Sequence, residues 1–208
     1  MPILSYILTA LGAYLLGSIP TGFLVAKAKG VDITKVGSGN IGATNAMRVL
    51  GKPAGIFVLL ADAAKGYAAV WLTTLWLNGN SNADLQTLRV VAGIFAVLGH
   101  NYTCWLKFKG GKGIATTAGV YLALAPWALL VALAVFILAI LLTRYVSVGS
   151  IAAAVALPAT VWIMTPQNIF LGIVSTALGA LAVYKHKGNI QRLRAGTENR
   201  LGKKKEAA

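Results

Sequence analysis

The sequence is short of acid. Five Asp and Glu stand against 19 Lys and Arg in 208 residues, for a formal net charge of +14. It is also poor in residues that hold metals or run redox chemistry, with one cysteine, Cys104, and two histidines, His100 and His186. A single cysteine excludes an intramolecular disulfide framework, and Cys104 reads as a packed small side chain. Two histidines with so few acids make no ligand set, so neither a metal nor another cofactor is expected. Charged residues are only 12% of the chain, against about 25% in ordinary globular domains. A soluble fold with a charged surface is therefore excluded.

Apolar residues take the vacated places. They make up 57% of the chain, and the mean hydropathy is +0.73. Apolar segments fall at 3–26, 53–77, 88–106, 114–125, 127–142, 148–164 and 169–184. Several reach the roughly 20 residues that cross a bilayer. The first has no small-residue cleavage site after a short core, so it reads as a retained span rather than a removed signal. Residues 114–142 are one long helix or two short ones, and charge decides between them. With a break at Pro126, the loops 27–52, 107–113, 143–147 and 185–208 share one side and hold 17 of the 19 basic residues. Without it, the basic tail moves to the opposite face, against the positive-inside rule. Proline also interrupts a helix ladder. The expected protein is all-α and polytopic, with seven transmembrane helices, an outer amino terminus and a cytoplasmic carboxyl terminus. It forms a single membrane-embedded domain over 1–208, and 199–208 is a flexible basic tail.

A net +14 would suggest nucleic acid in a soluble protein. Here the cations sit in short loops and the tail, where orientation bias and anionic headgroups account for them. Nucleic acid is not an expected partner; membrane lipid is. Outer loops such as "NGNSNADLQT" carry no cluster able to do chemistry. Every polar, glycine-rich segment falls on the inner face.

The first of these, "VGSGNIGATNAMRVLGK" at 36–52, reads as a cationic, amide-lined loop. Its glycines, Gly39 and Gly42 among them, let backbone N–H groups converge on an anion. Ser38, Asn40, Thr44 and Asn45 add donors, and Arg48 adds a planar fork suited to phosphate oxygens. The second, "KFKGGKGIATT", sets Lys107, Lys109 and Lys112 around Gly110, Gly111 and Gly113 just before a helix start, a ready anion site. It is not a nucleotide P-loop, because Leu106 and Gly113 stand where that motif needs Gly and Ser/Thr. The third is "YKHKGNIQRLRAGTENR", where His186, Asn189 and Arg192 share a helix face. Asp62 and Lys65, at i and i+3 inside the second span, pair structurally, since bare charges there cost several kcal/mol. Ser147 and Ser150 mark another inner helix start.

Other chemistries are missing. Ser38 lies in "VGSGN", not in a nucleophile elbow. Trp105 follows His100 at the fifth place and Gln191 follows His186, so neither histidine heads a His-x4-Asp acyltransferase box.

"GSGNIGATNAMRVLGK", "GH" at 99–100 followed by "FKGGKGIAT", and "HKGNIQRL" with a downstream glutamate resemble the three cytoplasmic motifs of the PlsY family, bacterial acyl-phosphate–dependent glycerol-3-phosphate acyltransferases. The similarity runs over essentially the whole chain. It implies acyl transfer from acyl phosphate to the sn-1 hydroxyl of glycerol 3-phosphate, giving lysophosphatidic acid and phosphate without CoA or acyl carrier protein. It further implies a monomer in the bacterial inner membrane with its site on the cytoplasmic face. By the same resemblance Ser38, Arg48, Lys112, His186 and Asn189 are the catalytic groups. Gly110, Gly111 and Gly113 around Lys112 resemble that family's glycerol 3-phosphate phosphate loop, and Glu198 is structural. The donor-rich inner segments themselves add Gly39, Asn40, Gly42, Thr44, Asn45, Lys107, Ser147 and Ser150 as expected substrate phosphate-binding residues. The chain departs from many relatives at Thr103, where they carry proline.

Two bases remain open for the attacking hydroxyl: a phosphate oxygen of the acyl donor, which is favoured, and His186. Asp32 and Glu206 lie at loop edges. A membrane transporter or binding protein for organic phosphate is the alternative function. Its site, however, belongs near the bilayer midplane on broken helices.

Overall fold

A computed structural model describes residues 2–77 and 84–202. Residues 78–83 and 203–208, Glu206 included, lie outside the described residues. Among the described residues the chain is helical throughout, with no strand. It divides into two compact units, Met1–Pro126 and Trp127–Ala208.

The first unit holds α1 (Pro2–Ser18), α2 (Thr21–Ala28), α3 (Ala43–Leu50), α4 (Lys52–Leu77), α5 (Leu85–Asn101) and α6 (Ile114–Leu124). The expected first span is thus two helices, broken at Ile19 and Pro20. Proline removes a backbone donor and restricts the residue before it. The carbonyls left over are answered by side chains: Lys65 Nζ donates to Ile19 O at 2.8 Å and Thr103 Oγ1 to Ser18 O at 2.6 Å. The two helices still make one apolar crossing, Ile3–Ala28.

Small residues let these helices approach closely. A Cβ on Gly66 of α4 would overlap Thr116 O, and one on Gly119 of α6 would overlap Ala63 O. In lipid, where apolar area gives no drive for helices to associate, such backbone-to-backbone approach is what holds them. A separate core of Ala26, Ile33, Ile41, Ala46 and Val58 ties α2, α3 and α4 together beneath the first motif.

The second unit holds α7 (Pro126–Thr143), α8 (Val146–Met164), α9 (Ile169–Lys185) and α10 (Lys187–Arg194), with α8 packed on α9. The break expected at Pro126 is present. Ala125 leaves the helical region (φ −152°, ψ 72°), and Pro126 opens α7 at the position where its missing N–H costs nothing. Asn168 caps α9, accepting from Leu171 N at 2.9 Å.

Among the described residues, four helical stretches are long and apolar enough to cross a membrane, Ile3–Ala28, Lys52–Trp76, Pro126–Thr143 and Val146–Met164. A fifth is available if α9 and α10, bent by 51°, count together. The remaining expected spans are shorter. At 1.5 Å per residue, the 17 residues of α5 rise roughly 25 Å and the 11 of α6 roughly 16 Å, against a hydrocarbon thickness of about 30 Å. α6 is half a crossing by itself.

Candidate active site

The first motif is not the open loop its glycines suggested. Residues 43–50 coil into α3, with Gly42 (φ −78°, ψ 168°) at its N-cap and Gly51 (φ 92°) ending it. Asn45 organises the turn before it. Only 2% exposed, it donates from Nδ2 to Val36 O at 3.0 Å and Ile33 O at 3.4 Å, and its Oδ1 accepts from Ser38 N at 2.9 Å. Asn40 Oδ1 accepts from Gly42 N at 2.9 Å, presetting the entry to α3. Expected as phosphate donors, Asn45 is committed to the protein's own backbone and Asn40 holds the turn. The exposed groups are Ser38, Gly39, Thr44 and Arg48. Arg48 leans back on the same anchor, with Nη1 3.5 Å from Asn45 Oδ1.

The second motif folds onto the end of α5. After a 3₁₀ turn at Cys104–Leu106 the chain reverses through Lys107 and Phe108, both left-handed (φ 52° and 60°). It returns so that Gly110 N donates to Asn101 O at 3.2 Å and Gly111 N to His100 O at 3.0 Å. These bonds satisfy carbonyls that every helix end leaves over. They also take the N–H groups that the sequence assigned to phosphate. Gly110 and Gly111 are glycines for a steric reason: a Cβ would overlap His100 O at the first and His100 Nε2 at the second. The helix-start geometry that suits an anion lies instead at the start of α6. Gly113 (φ 84°) is its N-cap, half-buried Lys112 precedes it, and the first N–H groups of a helix have no acceptor within it. Lys107 is exposed.

Thr103 explains its own departure. Its φ of −64° is the angle a proline ring would fix, so the backbone keeps the shape while the hydroxyl bonds Ser18 O.

Beneath this loop lies a group that the sequence gave only in pieces. Asp62 Oδ1 is 2.8 Å from Lys65 Nζ and 3.6 Å from His100 Nδ1, and all three side chains are 5% exposed or less. The Asp62–Lys65 pairing is as expected from their spacing. The approach of His100 is new: 38 residues separate it from Asp62, and no local signal announces the contact.

In the second unit a single carboxylate collects the polar groups. Glu198 accepts from Ser147 Oγ at 3.0 Å and Asn189 Nδ2 at 2.7 Å through Oε1, and from Arg192 Nε at 2.7 Å through Oε2. Asn189 and Arg192, one turn apart on α10, do share a face. Burial raises the Glu198 carboxyl, but the bonds from Asn189, Arg192 and Ser147 outweigh it and hold it below the ordinary glutamate range. Leu201 N donates to Arg144 O at 2.8 Å, tying the segment after Glu198 to the α7–α8 corner. Ser147 and Ser150 were expected on phosphate. Both are 5% exposed; Ser147 supports Glu198, and Ser150 returns its hydroxyl to Val146 O at 2.9 Å within α8.

His186 sits at the hinge between α9 and α10, 3% exposed, with Nδ1 2.7 Å from Ala182 O. A carbonyl only accepts, so Nδ1 carries the hydrogen. In the neutral ring the basic nitrogen is then Nε2.

These motifs, in this order on an all-helical apolar chain, can be set against known proteins. The glycerol-3-phosphate acyltransferase family model matches residues 7–196. The chain belongs to that family. A glycerol-3-phosphate acyltransferase of Geotalea daltonii is 47% identical over 196 residues, 94% of this chain and 97% of the relative. One from Geobacter metallireducens is 49% identical over 201 residues, 94% of this chain and 97% of its own. Two crystal structures of PlsY (YgiH), an integral membrane glycerol 3-phosphate acyltransferase, share the fold. The glycerol 3-phosphate form superposes with a TM-score of 0.86 at 39% identity, covering 95% of this chain and 96% of that one. The lysophosphatidic acid form gives 0.83 at 38% identity over the same shares. The acyltransferase family thus accounts for the apolar helices and all three motifs together.

Proposed function

We propose that this membrane acyltransferase moves a fatty acyl group from acyl phosphate to the sn-1 hydroxyl of glycerol 3-phosphate. The observation that carries the reading is the arrangement of Lys112 and Gly113 at the amino-terminal end of α6, in a family member matched over nearly its whole length. The glycerol 3-phosphate phosphate binds there, with Lys107 nearby in sequence. Arg48, Ser38 and Thr44, presented by α3 and the turn before it, hold the phosphate of the acyl donor.

The hydroxyl oxygen attacks the carbonyl carbon of the acyl phosphate, and the bond from that carbon to the bridging phosphate oxygen breaks. Phosphate leaves, carrying the proton of the attacking hydroxyl. It is a good leaving group, so charge stabilisation by cations and N–H donors suffices for most of the acceleration. His186 and Asn189 orient phosphate by hydrogen bonds, and Glu198 holds Asn189 in place. The donor is acyl phosphate, with no need for CoA or acyl carrier protein, and the chain acts as a monomer. Seven membrane-crossing segments, with the amino terminus outside, put the three motifs on the cytoplasmic face of the inner membrane. The 17 basic residues of the inner loops and tail support that orientation.

Purified protein given acyl phosphate and glycerol 3-phosphate should release phosphate only when both are present, and an acyl thioester should not replace the donor. Equal turnover of the thioester would overturn the donor assignment. Orientation is tested by thiol labelling of Asn40→Cys in a Cys104-free variant, where label reaching it from outside would remove the seven-span topology.

A further inference from the structure

The buried Asp62–Lys65–His100 group is not used by the chemistry above, yet it stands directly under the loop that carries Lys112. We propose that Asp62 is a positioning residue for glycerol 3-phosphate binding, acting through His100 on the backbone of residues 110–113. The inference rests on the functional reading of that loop.

Three contacts carry it. His100 is held on its Nδ1 side by Asp62 Oδ1 at 3.6 Å, outside hydrogen-bond range and so an electrostatic and packing contact. Its Nε2 side lies against Gly111, so closely that a Cβ there would overlap the ring nitrogen. Its carbonyl accepts from Gly111 N at 3.0 Å. The ring is therefore clamped between the carboxylate and the glycine backbone, and the loop rests on it. Asp62 itself cannot swing away, because Lys65 holds it at 2.8 Å while bonding Ile19 O at 2.8 Å. A long helix, α4, thereby fixes the height and tilt of a loop to which it is not joined in sequence.

A buried ion pair within one helix, as between Asp62 and Lys65 on α4, is expensive, and apolar residues of similar volume often pack as well. Its placement under a substrate loop fits a demand on geometry more than on stability. If Asp62 served only stability, its removal would lower the folded fraction and leave Michaelis constants untouched.

The decisive variant is Asp62→Asn combined with Lys65→Met, which removes both charges at similar volume, so that folding does not hinge on a lone buried cation. Two readouts are made on purified folded protein. Hydrogen exchange of the peptide spanning 105–113 should accelerate, while that of 43–50 stays as in the wild type. KM for glycerol 3-phosphate should rise roughly twofold to thirtyfold, the usual reach of coupling through a packed contact, with KM for acyl phosphate unchanged. Unchanged exchange at 105–113 overturns the inference outright. Faster exchange with unchanged KM overturns the functional reading instead, since the loop would then be positioned but not used for glycerol 3-phosphate. If the double variant does not fold, His100→Gln is read in the same two ways, and unaltered exchange at 105–113 is again fatal to the inference.

Discussion

Each unit sets one largely buried carboxylate among polar groups, Asp62 in the first and Glu198 in the second, and uses it differently. In the first, Asp62 lies inside the long helix α4, bound to a lysine one turn away and set against His100. In the second, Glu198 sits in an irregular segment after α10, with Arg192 as its charged partner at 38% exposure. Asp62 is buried and held between Lys65 and His100. Glu198 gathers three donors from two helices, Ser147 on α8 and Asn189 and Arg192 on α10. One acid makes a rigid support and the other a hub with an edge toward water. The lesson is that a chain so poor in acid places a carboxylate where several donors would otherwise compete or stay unmatched.

The comparison breaks first at Asp62. Asp62→Asn alone leaves Lys65 charged and buried without its partner, a change that costs about 3–5 kcal/mol. Thermal unfolding in detergent should register it, and a shift no larger than that of Glu198→Gln would erase the distinction between the units. Next in size is Lys112→Ala. Loss of a charge-assisted bond of about 1.5–3 kcal/mol should raise KM for glycerol 3-phosphate roughly tenfold to hundredfold. Wild-type kinetics in a folded protein would remove Lys112 from the site.

Glu198→Gln keeps the shape but weakens the bond to Arg192, so it should cost about 1 kcal/mol. It also carries a pH signature. Because the folded carboxyl lies below the ordinary glutamate range near 4.3, its contribution is complete above that value and is lost as pH falls through the lowered one. Stability of the wild type should therefore fall faster than that of Glu198→Gln in that acid window. Parallel curves would show that the carboxylate is no hub. The smallest effects separate two serines of α8. Ser147→Ala removes one bond to Glu198 and should cost about 1 kcal/mol, whereas Ser150→Ala, losing only a bond to its own helix, should stay within about 0.5 kcal/mol. A large kinetic defect in Ser150→Ala at unchanged stability would restore it to phosphate binding.

His186 sharpens the question of the proton. A positioned general base contributes about 10²–10⁴-fold. If the substrate phosphate takes the proton, His186→Asn should retain substantial activity with the acidic limb of its pH–rate profile intact. Loss of that limb at unchanged substrate binding would make His186 Nε2 the base.

Composition alone determined that the chain is a helical membrane protein. So many apolar residues with so few charges can satisfy their backbone in lipid only as helices or a closed barrel, and runs of this length suit helices. The break at Pro126 was legible too, because proline acts through its own covalent geometry. The motifs were legible as a set, since residue types and order survive in one dimension. What each residue does within them was not. Asn45 and Ser147 look like any other surface donor in a string of letters, and only folding turned one onto Val36 O and the other onto Glu198. Gly110 and Gly111 were read as anion-binding glycines, yet they are small because His100 stands behind them. The split of 3–26 into two helices depended on Lys65 and Thr103 supplying donors from elsewhere. Local covalent rules and hydropathy act along the chain and can be read there. Which donor meets which acceptor is settled by long-range packing, and only the tertiary structure decided it.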